Sequence, residues 1–308
     1  MPRALVTGGA GFIGSHLAHA LLVEGWQVDV VDDLSSGNAA NVPAECELIE
    51  IDLGRRGATS RLPGVPYDAI CHLAGQSSGE KSFDDPEHDF DANARSSVAL
   101  AAWARSRDIP LIVHASSMGV YGDVASHPVD ERTEPCPISF YGASKLAAEH
   151  ALAVAPDVRA ISLRMFSVYG PGQNLEEMRQ GMVSIFLSMA LRGEPIGVRG
   201  PLDRVRDFVY VEDCVEAWLR ALSRPDASGP VNVGTGAGTS IRALVAEMLE
   251  LLGAGPDHPV RELDVRTPGD QFALSASTAH ARQLLGWSAR TGLREGLGAM
   301  ISWARAAV

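Results

Sequence analysis

Only four cysteines occur in the chain, Cys46, Cys71, Cys136 and Cys214, and none forms a C-x-x-C pair. That scatter excludes a disulfide framework and a zinc-binding spacing, and reduced thiols fit an expected cytoplasmic setting. Positive charge is short as well. The net charge of −12 speaks against nucleic acid and anionic membrane surfaces as partners. It leaves room for a small anionic substrate, because a few local arginines outweigh the global field. No apolar stretch approaches the roughly 20 residues of a membrane span. Strand-like sequence starts at the N-terminus, so no signal peptide is expected. Repeats and low-complexity tails are missing. The nine histidines show no metal-ligand spacing. His16 and His19 fall on a predicted helix and His114 inside a predicted strand; all three read as structural, and no metal is expected.

What the chain has is ordinary globular material. Its 308 residues are 46% hydrophobic and 21% charged, enough for a large core and about two domains. The most informative stretch is Leu5-Val6-Thr7-Gly8-Gly9-Ala10-Gly11-Phe12-Ile13-Gly14, a short apolar run that breaks into G-x-x-G-x-x-G before an amphipathic pattern. This is a strand, a tight turn and a helix N-terminus, where free N–H groups and the helix dipole favour a diphosphate. A second apolar run, Val28–Val31, ends in Asp32. An acidic residue about 20 positions on from such a turn suits a ribose 2′-hydroxyl and repels a 2′-phosphate. The pattern points to NAD, with Gly8, Gly11, Phe12, Ile13, Gly14 and Asp32 at its site.

The first half alternates predicted strands with helical patterns, which implies βαβ units and a parallel sheet. Strands are expected at Ala4–Thr7, Gln27–Val31, Cys46–Glu50, Ala69–Leu73, Leu111–Ser116 and Arg159–Arg164. Helices are expected near Gly14–Glu24, Phe90–Arg107 and Tyr141–Ala155. Right-handed crossovers place all these strand C-termini along one edge, where ligands bind in open α/β sheets. After Phe166 the pattern changes. One helix is expected near Gly181–Arg192, and Arg206–Val211 and Pro230–Val233 read as strands that return to the first domain. A helix should run from an N-cap at Ser240 to Leu252 with Gly253 as its stop, followed by helices near Thr278–Leu285 and Gly292–Ala306.

Tyr141 and Lys145 are four apart at the start of a predicted helix, so both side chains share a face. A neighbouring ammonium favours a phenolate and draws the tyrosine pKa toward neutrality, which makes the phenol a general base for a hydroxyl. Such pairs are common on exposed helices; here the neighbours add weight. Val113-His114-Ala115-Ser116-Ser117 brings hydroxyls to the ligand edge. Asp52-Leu53 follows the third strand, where an adenine could be held, and Leu73-Ala74-Gly75 follows the fourth, where small residues let a cofactor pass.

With these pieces the chain resembles the extended short-chain dehydrogenase/reductases, in the NAD-dependent epimerase/dehydratase branch acting on nucleotide sugars. The matching motifs are Thr7–Gly14, Asp32-Asp33-Leu34-Ser35-Ser36-Gly37, His72-Leu73-Ala74-Gly75, Asn93, Ser117 with Val120-Tyr121-Gly122, and Tyr141-Gly142-Ala143-Ser144-Lys145. They continue in Arg206-Asp207-Phe208-Val209-Tyr210-Val211, Val231-Asn232-Val233-Gly234 and Leu285-Gly286-Trp287, and so cover nearly the whole chain. The resemblance implies a Rossmann-type doubly wound parallel sheet with a smaller C-terminal α/β substrate-binding domain. Residues 1–165 plus about 205–235 would form the NAD-binding domain, and about 166–204 plus 236–308 the nucleotide-sugar domain. It also implies a homodimer built from helices near Phe90–Arg107 and Tyr141–Ala155, with Ala92, Ala94, Ala99, Ala101 and Ala102 allowing close approach.

For the site, the resemblance implies Tyr141 as catalytic base, Lys145 on the nicotinamide ribose, and Ser117 on the reacting sugar hydroxyl. Ser116 is expected to pack or bond locally. Asp33, Leu34, Ser36, Gly37, Asp52, Leu53, Leu73, Ala74, Gly75 and Asn93 complete the NAD site; Ser78, Glu80, Ser167, Arg206 and Arg266 face the nucleotide sugar. Dehydrating relatives carry an Asp-Glu pair after the serine hydroxyl, and decarboxylating ones a glutamate. This chain has Met118-Gly119, which moves no proton, so it resembles a 4-epimerase. The alternative is a dehydratase or ketoreductase that recruits Glu80; a non-catalytic NAD sensor is a third reading. Two departures stand out. Ser167 occupies a position where asparagine is common, and charged Glu80 and Lys81 enter the loop facing the sugar. Arg266 lies one residue further from Gly269 than is usual.

Overall fold

The computed structural model describes residues 1–224, 226–255 and 257–307. Its main sheet has seven parallel strands: β1 (Arg3–Thr7), β2 (Gln27–Asp32), β3 (Glu47–Glu50), β4 (Ala69–His72), β5 (Leu111–Ser117), β6 (Arg159–Met165) and, at the far edge, Gly229–Val233. The spatial order runs β3-β2-β1-β4-β5-β6 and then the Gly229–Val233 strand. Strand order therefore reverses between β1 and β4, and the crevice above their C-terminal ends is where a doubly wound sheet binds its ligand. The expected Rossmann-type sheet is present.

Period-2 alternation decides which helices cover which face. Ala4 and Val6 of β1 pack with Leu17, Ala18 and Leu21 of α1 (Phe12–Val23), while Leu5 between them points into the opposite layer with Ile70, Ile112 and Leu100. In β5, Leu111, Val113 and Ala115 face the first layer and Ile112 the second. Each fully buried leucine contributes about 2 kcal/mol from area alone.

The helix expected over Phe90–Arg107 is in fact three pieces. α2 (Pro86–Phe90) starts earlier, because Asp85 accepts the His88 N–H at 2.9 Å and Pro86 fills a first-turn position. A π-helical turn, Asp91–Arg95, follows, then α3 (Ser96–Ser106). The Ser96 and Ser97 hydroxyls both bond the Asn93 carbonyl, at 3.3 and 2.6 Å, and this widened turn directs Asn93 inward. Ala101 is 6% exposed in the core rather than on an outer helix face, which corrects its expected place at an interface.

α4 (Phe140–Ala153) leads into β6. The remaining chain forms β7 (Ser167–Tyr169), α5 (Met182–Leu191), β8 (Ile196–Arg199), β9 (Val205–Tyr210) and α6 (Val211–Leu222). After α6 come β10, the Gly229–Val233 strand already described, then β11 (Gly238–Ser240), α7 (Ile241–Leu252), β12 (Val260–Leu263), α8 (Ala279–Leu285) and α9 (Leu293–Ala307). Helices α5, α7 and α9 enclose a second core with Ile196, Val198, Phe208 and Tyr210. The Pro230–Val233 segment joins the main sheet as expected. The Arg206–Val211 segment does not: β9 lies between β7 and β11 in a separate three-stranded sheet, its backbone already saturated on both sides. α7 begins at Ser240, which accepts the Ala243 N–H at 3.2 Å, and stops at Gly253 with φ 68°, as the sequence indicates.

One buried ion pair ties the main sheet to α4. Arg164 of β6 meets Glu149 with two bonds of 2.9 and 2.7 Å, and the Ser116 hydroxyl donates to the same carboxylate. Arg164 is 3% exposed, and its guanidinium carbon stands 4.9 Å from the Tyr121 ring centroid. Removing one partner strands the other charge away from water. Glu149→Ala should therefore cost about 3–5 kcal/mol in urea unfolding; a loss below about 1 kcal/mol, the value of an exposed pair, would refute this.

Candidate active site

The crevice above β1 and β4 is shaped by missing side chains. A methyl on Gly14 would lie 2.1 Å from the Gly8 carbonyl oxygen, and one on Gly8 would lie 2.6 Å from the Ala74 nitrogen. Bare backbone lets the turn after β1 close against the segment after β4. Gly11 caps α1, so the N–H groups of Phe12, Ile13 and Gly14 open the helix without intrahelical partners. Asp32, 6% exposed at the end of β2, accepts the Ala10 and Leu34 N–H groups, both at 2.9 Å. Burial pushes its carboxyl pKa up and these bonds oppose the rise. Asp33 accepts from Ser35 N at 3.0 Å, and Ser36 and Gly37 continue the same loop. Asp52 accepts the Gly54 N–H at 2.9 Å, whereas Leu53 is buried in the core.

Gly75 continues the cradle beyond Leu73 and Ala74. A methyl there would sit 2.3 Å from Asn93 Oδ1 and 3.3 Å from Lys145 Nζ. Asn93 Oδ1 is buried without a hydrogen-bond partner. An orphaned acceptor, a bare glycine and an ammonium on one wall suit a ligand carrying hydroxyl donors.

Ser139 caps α4 by accepting the Gly142 N–H at 3.0 Å, which puts Tyr141 in the first turn and Lys145 one turn later. Lys145 Nζ is 5.9 Å from the Tyr141 ring centroid. Ser117, last residue of β5, accepts the Gly119 N–H at 3.1 Å, and its hydroxyl faces the Tyr141 phenol. A methyl on Gly119 would stand 3.4 Å from Ser117 Oγ and 3.5 Å from the Tyr141 ring, in ordinary contact with both. Tyr141, Lys145 and Ser117 thus meet at one point of the sheet edge. Their electrostatics differ from expectation in one respect. Burial pushes the Tyr141 pKa up to about 12, with the Ser117 bond opposing and the Asp89 charge adding to the rise. The same burial pushes Lys145 down to about 8. Desolvation of both groups outweighs the attraction that was expected to bring the phenol near neutrality.

The residues expected on the substrate side are more dispersed. Ser78 donates to the Arg179 carbonyl at 2.9 Å. Glu80 accepts from Arg179 Nε at 3.1 Å and from Arg199 Nη1 at 3.0 Å, while Lys81 pairs with Glu177. These polar groups, expected to face a ligand, also lock the loop after β4 to the segment before α5 and to Arg199 at the end of β8. Arg206 is 2% exposed, and its Nη atoms already donate to Asp270 and to the Val205, Gln271 and Phe272 carbonyls. Arg204 grips the other oxygen of Asp270. Arg266 is exposed, and Ser167 is half-buried at the start of β7. Sequence reasoning missed Arg179, Arg199 and the inward-facing Asp89. The Asp85-Pro86 helix start was the available signal for Asp89; the two arginines are distant in sequence and gave none.

A model of the NAD dependent epimerase/dehydratase family matches residues 4–234. The chain belongs to that family. It is 36% identical to the UDP-glucose 4-epimerase of Mycolicibacterium smegmatis over 312 residues, 98% of either chain. Among solved structures it is similar to Thermus thermophilus UDP-glucose 4-epimerase in complex with NAD, with TM-score 0.91, 34% identity, and coverage of 99% of this chain and 100% of that one. A Thermotoga maritima UDP-glucose 4-epimerase with UDP-glucose gives TM-score 0.92 and 32% identity over 99% of each chain. NAD is the cofactor of this family, and the glycine cradle with its orphaned Asn93 oxygen fits it. Among the described residues no helix is long and apolar enough to cross a membrane. Gly75→Ala, with φ of 156° and no space for a methyl, should weaken NAD binding at least about tenfold by calorimetry. Unchanged affinity would show that the cofactor does not pass this wall.

Proposed function

We propose that this protein is an NAD-dependent nucleotide-sugar 4-epimerase, working through oxidation at C4, rotation of the 4-ketose and re-reduction. The observation that carries this reading is what stands beside Ser117. Met118 and Gly119 hold no proton, and Glu80, on which a dehydratase would depend, is spent on two guanidiniums. Bound NAD supplies the hydride acceptor at C4 and later the donor. Tyr141 takes the C4 hydroxyl proton and returns it, Ser117 orients that hydroxyl, and Lys145 binds the nicotinamide ribose and favours the phenolate. Burial of Tyr141 means a nearby positive charge is felt strongly, so cofactor binding and base activation are coupled. Asp32 selects NAD over NADP through the ribose hydroxyl.

The Rossmann unit holds NAD and the smaller unit the nucleotide sugar. For Arg206 to reach a diphosphate, Asp270 has to yield it. The outer faces of α3 and α4, where Val98 is 52% exposed, support a homodimer without Ala101. The free cysteines support a cytoplasmic setting.

Tyr141→Phe removes only the proton-transferring oxygen and should lower kcat by about 10²–10⁴-fold with little change in Tm; near-normal turnover of a nucleotide sugar would sink the mechanism. In heavy water the epimerised product should carry no carbon-bound deuterium, since the C4 hydrogen never reaches solvent. Deuterium at C5, or a product lighter by one water, would favour the dehydratase.

A further inference from the structure

Lys145 is a buried ammonium, 4% exposed. Among the described residues its Nζ donates to no side chain and meets no carboxylate within 4.0 Å. A charge held this way needs a counter-charge nearby or it loses its proton. The strand side offers none. His72 and His114 face it there, their ring centroids 5.7 Å apart. Both are fully buried, held by Thr7, Ser97 and Ser162, and kept neutral by burial and by Lys145 itself.

The helix side offers one carboxylate. Asp89 of α2 is 0% exposed and, among the described residues, has no cation within 4.0 Å. Its Oδ1 accepts the Ser144 hydroxyl at 2.5 Å and its Oδ2 accepts the Gln76 amide at 2.7 Å. Ser144 is the residue before Lys145, and Asn93 Nδ2 donates to the same hydroxyl at 3.1 Å. With its nitrogen engaged on that side, Asn93 turns its oxygen toward Gly75 and Lys145. Asp89 and Lys145 each favour the charged form of the other across this network, while Asp89 disfavours the Tyr141 phenolate.

We propose that Asp89 is the counter-ion of the Lys145 ammonium and, through Ser144 and Asn93, the residue that positions it at the cofactor wall. Its effect on turnover rests on the Tyr141–Lys145 reading above; its effect on Lys145 does not. The chain contains only two lysines, Lys81 and Lys145. Protein labelled with lysine carrying carbon-13 at Cε therefore gives two titrating signals, and Lys81→Arg assigns them. In Asp89→Asn, whose amide keeps the shape without the charge, the Lys145 midpoint should fall by about one pH unit. Both limbs of the kcat–pH profile should move to lower pH with it, because the phenol also ionises more easily. A merely structural Asp89 would lower activity without moving the limbs.

If Asp89→Asn does not fold, Asp89→Ser serves: it keeps a polar side chain without the charge, so Lys145 should again titrate lower. A fallen midpoint with unmoved kcat limbs would support the counter-ion and count against the catalytic reading. An unmoved Lys145 midpoint in the variant that folds would overturn the proposal.

Discussion

The approach of the Gly14 backbone to the Gly8 carbonyl is the constraint on which the rest of this molecule hangs. With a methyl at 2.1 Å from that oxygen, the backbone of the turn after β1 would have to shift away from the start of α1. Because it stays closed, the helix N-terminus points along the C-terminal edge at the place where strand order reverses. The segment after β4 is drawn against it, 2.6 Å from where a Gly8 methyl would be. Gly75, Asn93 and Lys145 then fall on a single wall. Backbone packing with no side-chain chemistry thus makes the cofactor bay, and the chemistry is added along its rim by β5 and α4.

That added chemistry is costly to bury. Tyr141, Lys145, Asp89, His72 and His114 gather in a region largely withdrawn from water, where each favours or disfavours the charge on its neighbours. Neutral imidazoles on the strand side and one carboxylate on the helix side leave the ammonium as the principal positive charge beside the reacting edge. A site made this way responds strongly to a cofactor that brings a further charge. The loops over it are held differently. Glu80, Asp84 and Glu177 interlock with Lys81, Arg179 and Arg199 at the surface, where solvent weakens each pair but their number fixes the loop.

Much of this was legible in the sequence because local rules agreed with one another there. The glycine spacing after β1, Asp32 at the tip of β2, the Ser240 cap and Gly253 stop of α7, and Tyr141 with Lys145 on one helix turn are all patterns within a few residues. The failures share a different cause. β7 and β11 are three residues long, too short to show alternation, and β9, buried from Arg206 to Tyr210, does not alternate and says nothing about which sheet it joins. The π-helical turn at Asp91–Arg95, where the Ser96 and Ser97 hydroxyls bond the Ala92 and Asn93 carbonyls, leaves no mark in the hydrophobic periodicity. Glu80 and Arg206 have residue types that suit a substrate site, while the ion pairs they make here, with side chains 64 to 119 positions away, are encoded by no motif.

Asp270 does in this protein what a ligand phosphate would do: it satisfies two arginines at once. An anion reaching that point would exchange one negative partner for another, so its affinity would be a difference between two strong interactions. The exchange is also not local. Asp270 follows Gly269, whose backbone leans on Ser139, a methyl there being 2.7 Å from the serine Cβ. Ser139 is the cap of the helix that carries Tyr141. Asp270 is thus joined to the turn that holds Tyr141 by two steps, along the chain to Gly269 and across to the Ser139 cap.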